Sequence, residues 1–466
     1  MKAICRKLLT GLLVLLLAGC TMGLDYQRPA AEVPIQYKNN APWKLATPSD
    51  QLPKGNWWEV YNDTVLNELQ QQAASANLSL QAAYARLSQV QAGVGISAAE
   101  RLPRLDLNAA ASRQRTAADL TSSGQSPIGN RFTLPLMLNY EVDLWGRVKR
   151  SIEASQADAD AAVADYQALL LSLQAELARN YFSLRALDTE IALLQQTITL
   201  RNEFYQLVQS MYDHGQVSQL DLSRAETELA STQAELIALQ RQRGELENSI
   251  AVLLGQPASS FTLAAVQQQI PVPVVAAGLP SSLLERRPDV AAAERQMAAA
   301  SARIGVAKTA FFPAISLTGS AGFGSDQVDN LFSWDNRTWG LGPAIYLPIF
   351  DAGRNSAKLD RARATYEEAI ANYRQKLLVA FAEVENGLSG LRLLDQQGQA
   401  LQQAVSAALR AGELSVQRYK AGLVSYLEVL DSQRTALQAA RALNQLQGEQ
   451  LRASVLLIKA LGGGFQ

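Results

Sequence analysis

From Phe132 apolar and polar side chains alternate. Phe132, Leu134, Leu136, Leu138, Tyr140, Val142 and Leu144 take every second position, with Thr133, Asn139, Glu141 and Asp143 among the residues between. A period of two places the apolar set on one face of a strand. Leu105, Leu107, Ala109 and Ala111 form a weaker partner. A second pair follows later, with Ile315, Leu317, Gly319, Ala321 and Phe323, then Leu341, Ile345, Leu347 and Ile349. Polar, Gly/Ser/Asp-rich segments from Arg113 to Asn130 and from Ser325 to Thr338 separate the members of each pair. The pattern predicts two hairpins with long loops.

Elsewhere the period is helical. The 68 residues from Arg147 to His214 contain no Gly or Pro, so a continuous helix there runs about 100 Å at ~1.5 Å per residue. Leu184, Leu187, Ile191, Leu194 and Ile198 step by 3, 4, 3 and 4, a heptad seam. After Gly215 the stripe returns through Leu229, Leu236, Leu239, Leu246, Ile250 and Leu253. A second outgoing helix follows Pro348, where Gly387, Gly390 and Gly398 are expected to loosen it. Shorter helices precede the strand pairs, over Asp63 to Arg101 and over Ser282 to Ala310. The latter opens with the capping-box spacing Ser282-x-x-Glu285 and is interrupted or restarted at Pro288.

These elements recur because the chain repeats itself. Tyr212-Asp213-His214-Gly215-Gln216-Val217-Ser218-Gln219-Leu220 reappears as Tyr419-Lys420-Ala421-Gly422-Leu423-Val424-Ser425-Tyr426-Leu427, an offset of 207 residues. Gly146-Arg147 matches Gly353-Arg354 and Leu254-Gly255 matches Leu461-Gly462 at the same offset. An internal repeat is decisive for fold reading. The chain divides into 1–19, a leader; 20–61, a proline-rich N-terminal wrapping segment; 62–255, the first copy; 256–280, a Pro/Gln-rich linker; 281–462, the second copy; and 463–466, a short tail. Each copy reads as a helix, two strands and a long helical hairpin.

The leader fixes the compartment. Lys2, Arg6 and Lys7 precede an apolar run from Leu8 to Ala18, the charge and length of a secretory signal and too short for a membrane span. Leu17-Ala18-Gly19-Cys20 resembles a bacterial lipobox, which implies cleavage before Cys20 and acylation of its thiol. An ordinary signal with an incidental cysteine is the alternative. Thr21 rather than Asp after the cysteine fits sorting to the outer membrane.

Composition then excludes several chemistries. One His and one mature Cys cannot build a His/Cys zinc site, a disulfide or a Cys-His dyad. A Ser-His-Asp triad would have to use His214, a turn residue replaced by Ala421 in the second copy. With 42 basic against 43 acidic residues there is no footprint for nucleic acid. No P-loop is present, and Gly322-Phe323-Gly324 lacks the third glycine of a dinucleotide site. The residues therefore predict no enzyme, no metal and no cofactor beyond the lipid on Cys20.

After a lipobox, strands of about ten residues with one apolar face fit an outer-membrane barrel better than hairpins of a soluble α+β domain. Four strands cannot close a barrel, for which about eight is the practical minimum. Open edges are not tolerated in lipid. Several protomers must contribute to one barrel, and three would supply twelve strands.

The lipobox, Asp25-Tyr26-Gln27-Arg28-Pro29, Arg286-Arg287-Pro288-Asp289, Phe311-Phe312-Pro313, Pro348-Ile349-Phe350-Asp351-Ala352-Gly353-Arg354 and Val424-Ser425-Tyr426-Leu427-Glu428-Val429-Leu430-Asp431 extend over the mature chain. Together they resemble the outer-membrane efflux lipoproteins of the NodT/OprM/CusC type, within the TolC-like outer membrane factor superfamily. The resemblance implies a membrane α+β fold: a trimeric 12-stranded β-barrel continuous with a 12-helix periplasmic α-barrel of coiled-coil hairpins. It implies a homotrimer anchored in outer-membrane lipid, serving a periplasmic adaptor and an inner-membrane pump of the RND type as a passive exit duct. A lipidated periplasmic adaptor is the competing class, but it should carry one hairpin beside a β-rich lipoyl-like domain. A duct for polypeptide secretion shares the architecture.

The hairpin tips are where the two copies diverge. Ser218-x-x-Asp221 and Ser425-x-x-Glu428 both have capping-box spacing, which leaves Asp221 between a cap and a pore role. Asp431 lies six residues after Ser425, beyond the reach of a cap. A surface pair with Arg434 at i,i+3 is its alternative role, worth a few tenths of a kcal/mol. The position 207 earlier is Arg224, so charge reverses between the copies. Three Asp431 carboxylates around one axis would resist joint ionisation unless a cation or an Arg compensates. By resemblance, Leu427 and Asp431 match constricting residues and Arg418, Tyr419 and Arg434 a tip network, with Tyr212, Asp221 and Arg224 the first copy's share of the gate. Gly215, Val217, Ser218, Gly422, Val424 and Ser425 match turns that receive an adaptor.

Overall fold

A computed structural model describes residues 26–27, 55–118, 126, 128–267, 270–273 and 287–463. Cys20 and the Ser282-x-x-Glu285 box lie outside the described residues. The described chain forms two compact units. Of the described residues, one unit holds those within Arg86–Val163 and Ala292–Arg374; the other holds those from 55 to 85 and those within Ala164–Ala291 and Gln375–Gln466.

The first unit contains a single antiparallel sheet of β1 (Arg104–Leu107), β2 (Ala110–Arg115), β3 (Ile128–Val142), β4 (Ala314–Ser325) and β5 (Arg337–Tyr346). β1 and β2 both pair with β3 and act as one interrupted strand. At the break the Asn108 amide still donates to the Pro135 carbonyl at 3.0 Å. β3 pairs with β4, and β4 with β5. The two expected hairpins are therefore one sheet, four strands wide, in which strands of the two copies adjoin. The strands also run further into the polar segments than alternation suggested. Arg115 still faces Ile128, because a ladder is built from backbone groups and tolerates Arg and Gln side chains.

Register places the paired apolar residues on the same face; β5 ends at Tyr346, short of the expected Leu347 and Ile349. Leu138 lies opposite Leu105 on one side and Gly319 on the other; Gly319 faces Leu341 in turn, and Leu317, Ile315 and Ile345 lie in the same set. Thr318, Ser316 and Ser320 of β4, with Thr133 and Asn139 of β3, occupy the opposite face. The apolar face is uncovered in the protomer: Trp339 is 80% exposed, and Leu105, Leu107, Leu341 and Ile345 are exposed with it.

The helices keep the repeat offset. α1 (Thr64–Ala76) and α2 (Leu78–Ala99) precede β1; α3 (Arg147–Asp213) and α4 (Gln219–Leu253) follow β3; α5 (Pro288–Thr309) precedes β4; α6 (Arg354–Lys420) and α7 (Tyr426–Ala460) follow β5. Each bound of α6 and α7 lies 207 residues after its counterpart in α3 and α4. Asp143 starts α3 by accepting the amides of Val148 (3.0 Å) and Lys149 (2.8 Å), and Asp351 starts α6 by accepting those of Gly353 (3.0 Å) and Asn355 (2.9 Å).

Three expectations change. The helix expected over Asp63 to Arg101 is two, because the Asn77 side chain donates to the Leu253 carbonyl and accepts the Leu80 amide, ending α1 and capping α2. α6 is unbroken: a Cβ on Gly387 would lie 2.9 Å from Leu457 Cδ1, so this glycine admits a close neighbour and does not loosen the helix. The end of the N-terminal wrapping segment is core. Trp57–Tyr61 forms a 3-10 turn whose Trp57, Trp58 and Tyr61 are buried with Leu66, Tyr181, Phe182, Ile250 and Val455. Two of the three polar tips find partners among the described residues, and the buried Trp58 Nε1 does not: Tyr61 Oη and Ser454 Oγ are 2.7 Å apart, and Trp57 Nε1 donates to Gln174 Oε1 at 3.2 Å.

Of the linker, residues 256–267 and 270–273 are described, irregular apart from a 3-10 turn at Ala258–Ser260. A charged clamp holds it. Arg243 donates to Asp188 at 2.6 Å and to the Leu263 carbonyl at 2.6 Å, and Arg185 donates to Asp188 at 3.0 Å and to the Ala264 carbonyl at 2.7 Å.

Candidate functional site

The tips of both hairpins lie in the second unit, and each reverses through the same turn. At the end of α3 the Gly215 amide donates to the Tyr212 carbonyl and the Gln216 amide to the Met211 carbonyl, both at 2.8 Å. At the end of α6 Gly422 donates to Tyr419 and Leu423 to Arg418, both at 2.9 Å. This is a Schellman close. It needs φ of +70° at Gly215 and +72° at Gly422, which glycine adopts without the Cβ penalty. Both turns are exposed and nothing lies within 4 Å of a Cβ built on either glycine.

The first turns of the returning helices differ. Ser218 Oγ accepts the Asp221 amide at 3.3 Å and donates to Asp221 Oδ2 at 2.8 Å, and Arg224 lies 3.5 Å from the same carboxylate. Ser218 is thus the capping residue, and the Asp221 carboxylate holds its hydroxyl. Ser425 makes no side-chain cap; Glu428 turns to Arg418, 3.6 Å away.

Behind the turns the hairpins pack through Phe204 and Val208 of α3 and Tyr426, Val429 and Leu430 of α7. Tyr419 lies tilted at 56° beside Tyr426 with ring centroids 5.9 Å apart, and its hydroxyl reaches Met211 Sδ at 3.8 Å. Burial, with the Glu228 carboxylate nearby, pushes the Tyr426 phenol up to about 12. Burial and then Asp221 raise Tyr419 too, so both phenols stay neutral donors at physiological pH.

Arg434 does not pair with Asp431. Its Nε donates to Glu228 Oε1 at 2.9 Å, and a second guanidinium nitrogen also meets that oxygen. Glu228 is buried and receives Arg201 at 3.0 Å as well; Arg201 also bonds Thr232 Oγ1 and the Glu228 carbonyl. Burial lowers the Arg201 pKa against the pull of Glu228, whereas the Glu228 hydrogen bond raises that of Arg434. One heptad along, Arg441 bridges Glu190 (2.8 Å) and Glu235 (2.7 Å). These Arg–Glu bridges join α7 to α3 and α4. The heptad spacing of Glu228 with Glu235 and of Arg434 with Arg441 was the available sequence signal.

The remaining residues of interest stand at the surface. Leu427 is 49% exposed, and Asp431, four residues on, is exposed on the same side of α7. Tyr212 is partly exposed and serves the turn through its carbonyl. Val217 packs against the apolar cluster, while Val424 lies in the second turn. Among the described residues no group of three or more His, Cys, Asp or Glu side chains converges as metal ligands would.

A family model described as Outer membrane efflux protein matches residues 69–256 and 279–463, the two copies in turn. The solvent efflux pump outer membrane protein SrpC of Pseudomonas putida is 34% identical over 466 residues, covering 97% of each chain. Outer membrane protein OprJ of Pseudomonas aeruginosa is 33% identical over 457 residues, covering 97% of this chain and 95% of its own. Among solved structures, the outer-membrane channel OprN superposes with a TM-score of 0.87 at 33% identity, covering 96% of this chain and 99% of its own.

Proposed function

The chain belongs to the outer membrane efflux protein family and is an outer-membrane channel for efflux, and we propose that it works as a homotrimeric exit duct with a closable periplasmic tip. The observation that carries this reading is the sheet: four strands wide and, among the described residues, unpaired along β5 and along β1/β2, with an uncovered apolar face. Such a sheet cannot stand alone in lipid. Three copies edge to edge give a twelve-stranded barrel, and six helical hairpins give a twelve-helix tunnel. Acylated Cys20 adds a lipid anchor.

Upstream partners follow from the same reading: a periplasmic adaptor meeting the turns at Gly215, Val217, Ser218, Gly422, Val424 and Ser425, and an inner-membrane pump of the RND type. The duct is passive and carries no catalytic centre, metal or cofactor. Leu427 and Asp431, exposed side by side on α7, suit a constriction around a threefold axis. Arg434, Arg418, Tyr419, Tyr212, Asp221 and Arg224 buttress it. The tip is closed at rest and opens when the adaptor docks. Small organic molecules, the cargo class named for the solvent efflux relative, are the first to test.

Outer-membrane fractions run unheated on denaturing gels test the assembly. A heat-resistant trimer band is expected; a protein that runs as a monomer with or without heating would point to a lipidated adaptor. Deletion of the gene should raise sensitivity to members of a solvent, drug and metal panel.

A further inference from the structure

The two copies part company where the sheet meets the long helices. Arg147 opens α3 fully paired: Glu141 takes its guanidinium at 2.6 and 2.8 Å, and Glu100 takes it at 2.8 Å. Arg354 opens α6 at the equivalent position, 207 residues on, and both of its acids are gone. Pro348 stands for Glu141 at that offset. Ala310 stands for Glu100 at the offset of 210 that holds before the strands, where Gly305 answers Gly95 and Pro313 answers Pro103. Lys358 and Arg361 then take the places of Ser151 and Ala154. Four and seven residues after Arg354, they put three cations on one face of α6. Among the described residues none of the three pairs with a carboxylate. Such a row, beginning at the positive end of the helix dipole, is unfavourable without an anion.

The row lines a cavity of about 660 Å³ inside the unit that holds the sheet, between the end of β3, the start of α3, α5 and α6. Trp145 and Phe312 give it an aromatic wall, stacked with ring centroids 4.9 Å apart, and Trp145 Nε1 is fixed on the Pro313 carbonyl at 2.8 Å. The other charges around the cavity are already engaged. Glu141 holds Arg147, Asp143 and Asp351 accept the amides that open α3 and α6, and Arg303 meets Asp158. The charge left over is positive and stands beside the rings. Glu141 pairs with Ser316 in register and Ala314 with Tyr346, so the strand residues at the cavity belong to the polar face of the sheet. The cavity lies on the side away from the apolar face that lipid would cover.

We propose that this cavity binds an amphipathic organic anion, an aryl group carrying a sulfonate or carboxylate, with its rings against Trp145 and Phe312 and its oxyanion on Arg354, Lys358 and Arg361. A cavity of this size suits a drug-sized molecule. The guanidinium fork matches a planar or trigonal oxyanion by two-point contact, and the aromatic wall takes the apolar part. Arg147 shows what the same position does when acids neutralise it, and Arg354 has kept the cation without them. The site is complete within one chain. In the duct proposed above it faces the lumen, where cargo passes, and that last step alone rests on the duct reading.

Calorimetric titration of naphthalene-2-sulfonate into the full protein in a non-ionic detergent, with detergent alone as the blank, tests it. One saturable site per chain is expected, and 2-naphthyltrimethylammonium should not occupy it. The double variant K358Q/R361Q, at exposed positions, should weaken binding about fivefold without lowering the melting temperature. K358R/R361K should bind as wild type does. No saturable binding, equal binding of the cationic probe, or an affinity that K358Q/R361Q leaves unchanged overturns the site. Unheated gels of the same preparation keep the two readings apart. A trimer that does not bind the sulfonate overturns the site and leaves the duct standing; a monomer that binds it with the expected charge dependence supports the site and overturns the homotrimer.

Discussion

Removing the Glu228 carboxylate should be the most damaging single change at the hairpin tip. Glu228 and Arg201 side chains are 7% and 10% exposed and meet at 3.0 Å. In Glu228→Ala the Arg201 guanidinium is left buried with only Thr232 and one carbonyl as partners. Stranding one member of a buried pair costs about 3–5 kcal/mol. Arg434→Ala is the contrast. Arg434 is half-exposed, and its loss leaves Glu228 paired with Arg201, so about 1 kcal/mol per protomer is at stake. It is, however, a tie between α7 and α4. Three such losses in the proposed homotrimer, about 3 kcal/mol if all break on opening, would shift a closed tip toward open by roughly a hundredfold. Thermal unfolding of the purified protein followed by circular dichroism, and penetration of a bulky glycopeptide antibiotic into cells, read the two effects. Glu228→Ala should melt well below wild type, and Glu228→Gln between the two. Arg434→Ala should melt near wild type yet admit the antibiotic. If Arg434→Ala melts lower than Glu228→Ala, or both behave as wild type, the charge cluster does not hold the tip as argued.

Leu341→Arg, on the apolar face of β5, should cost about 2–4 kcal/mol near a bilayer midplane and deplete heat-resistant trimers in the outer membrane. Thr318→Arg on the opposite face should assemble normally by the same gel. Gly390→Ala, with open space at its Cβ, should raise the melting temperature through about 0.5–1 kcal/mol of helix propensity. Gly387→Ala, which meets Leu457, should lower it, overpacking costing about 1–3 kcal/mol. Cys20→Ser should abolish labelling of the mature protein by radioactive palmitate.

Much of this architecture was legible because it rests on periods. Alternation from Phe132 to Val142 survives as the apolar face of β3, and the Gly/Pro-free run from Arg147 ends one residue short of His214, at Asp213. What escaped depends on long-range placement. Asn77 breaks a helix because a carbonyl of α4 is within reach of its amide, which no local pattern encodes. Gly387 looks like a helix breaker until Leu457 is placed against it. Trp57, Trp58 and Tyr61 sat in a proline-rich stretch without periodicity, so their burial had no signature. At the tip, spacing pointed to the cap that Ser218 makes and left Asp221 open, but suggested Asp431 for Arg434, since i,i+3 neighbours are visible in sequence. Glu228, on another helix, is not.

The central claim is a closable conduit, and planar-bilayer recording of the purified mature protein tests it most directly. Wild type should insert and show small, mostly closed conductance, and Asp431→Ala should show discrete, larger steps as the proposed carboxylate ring is removed. Insertion of both proteins with no conductance steps, or an Asp431→Ala trace indistinguishable from wild type, would contradict it.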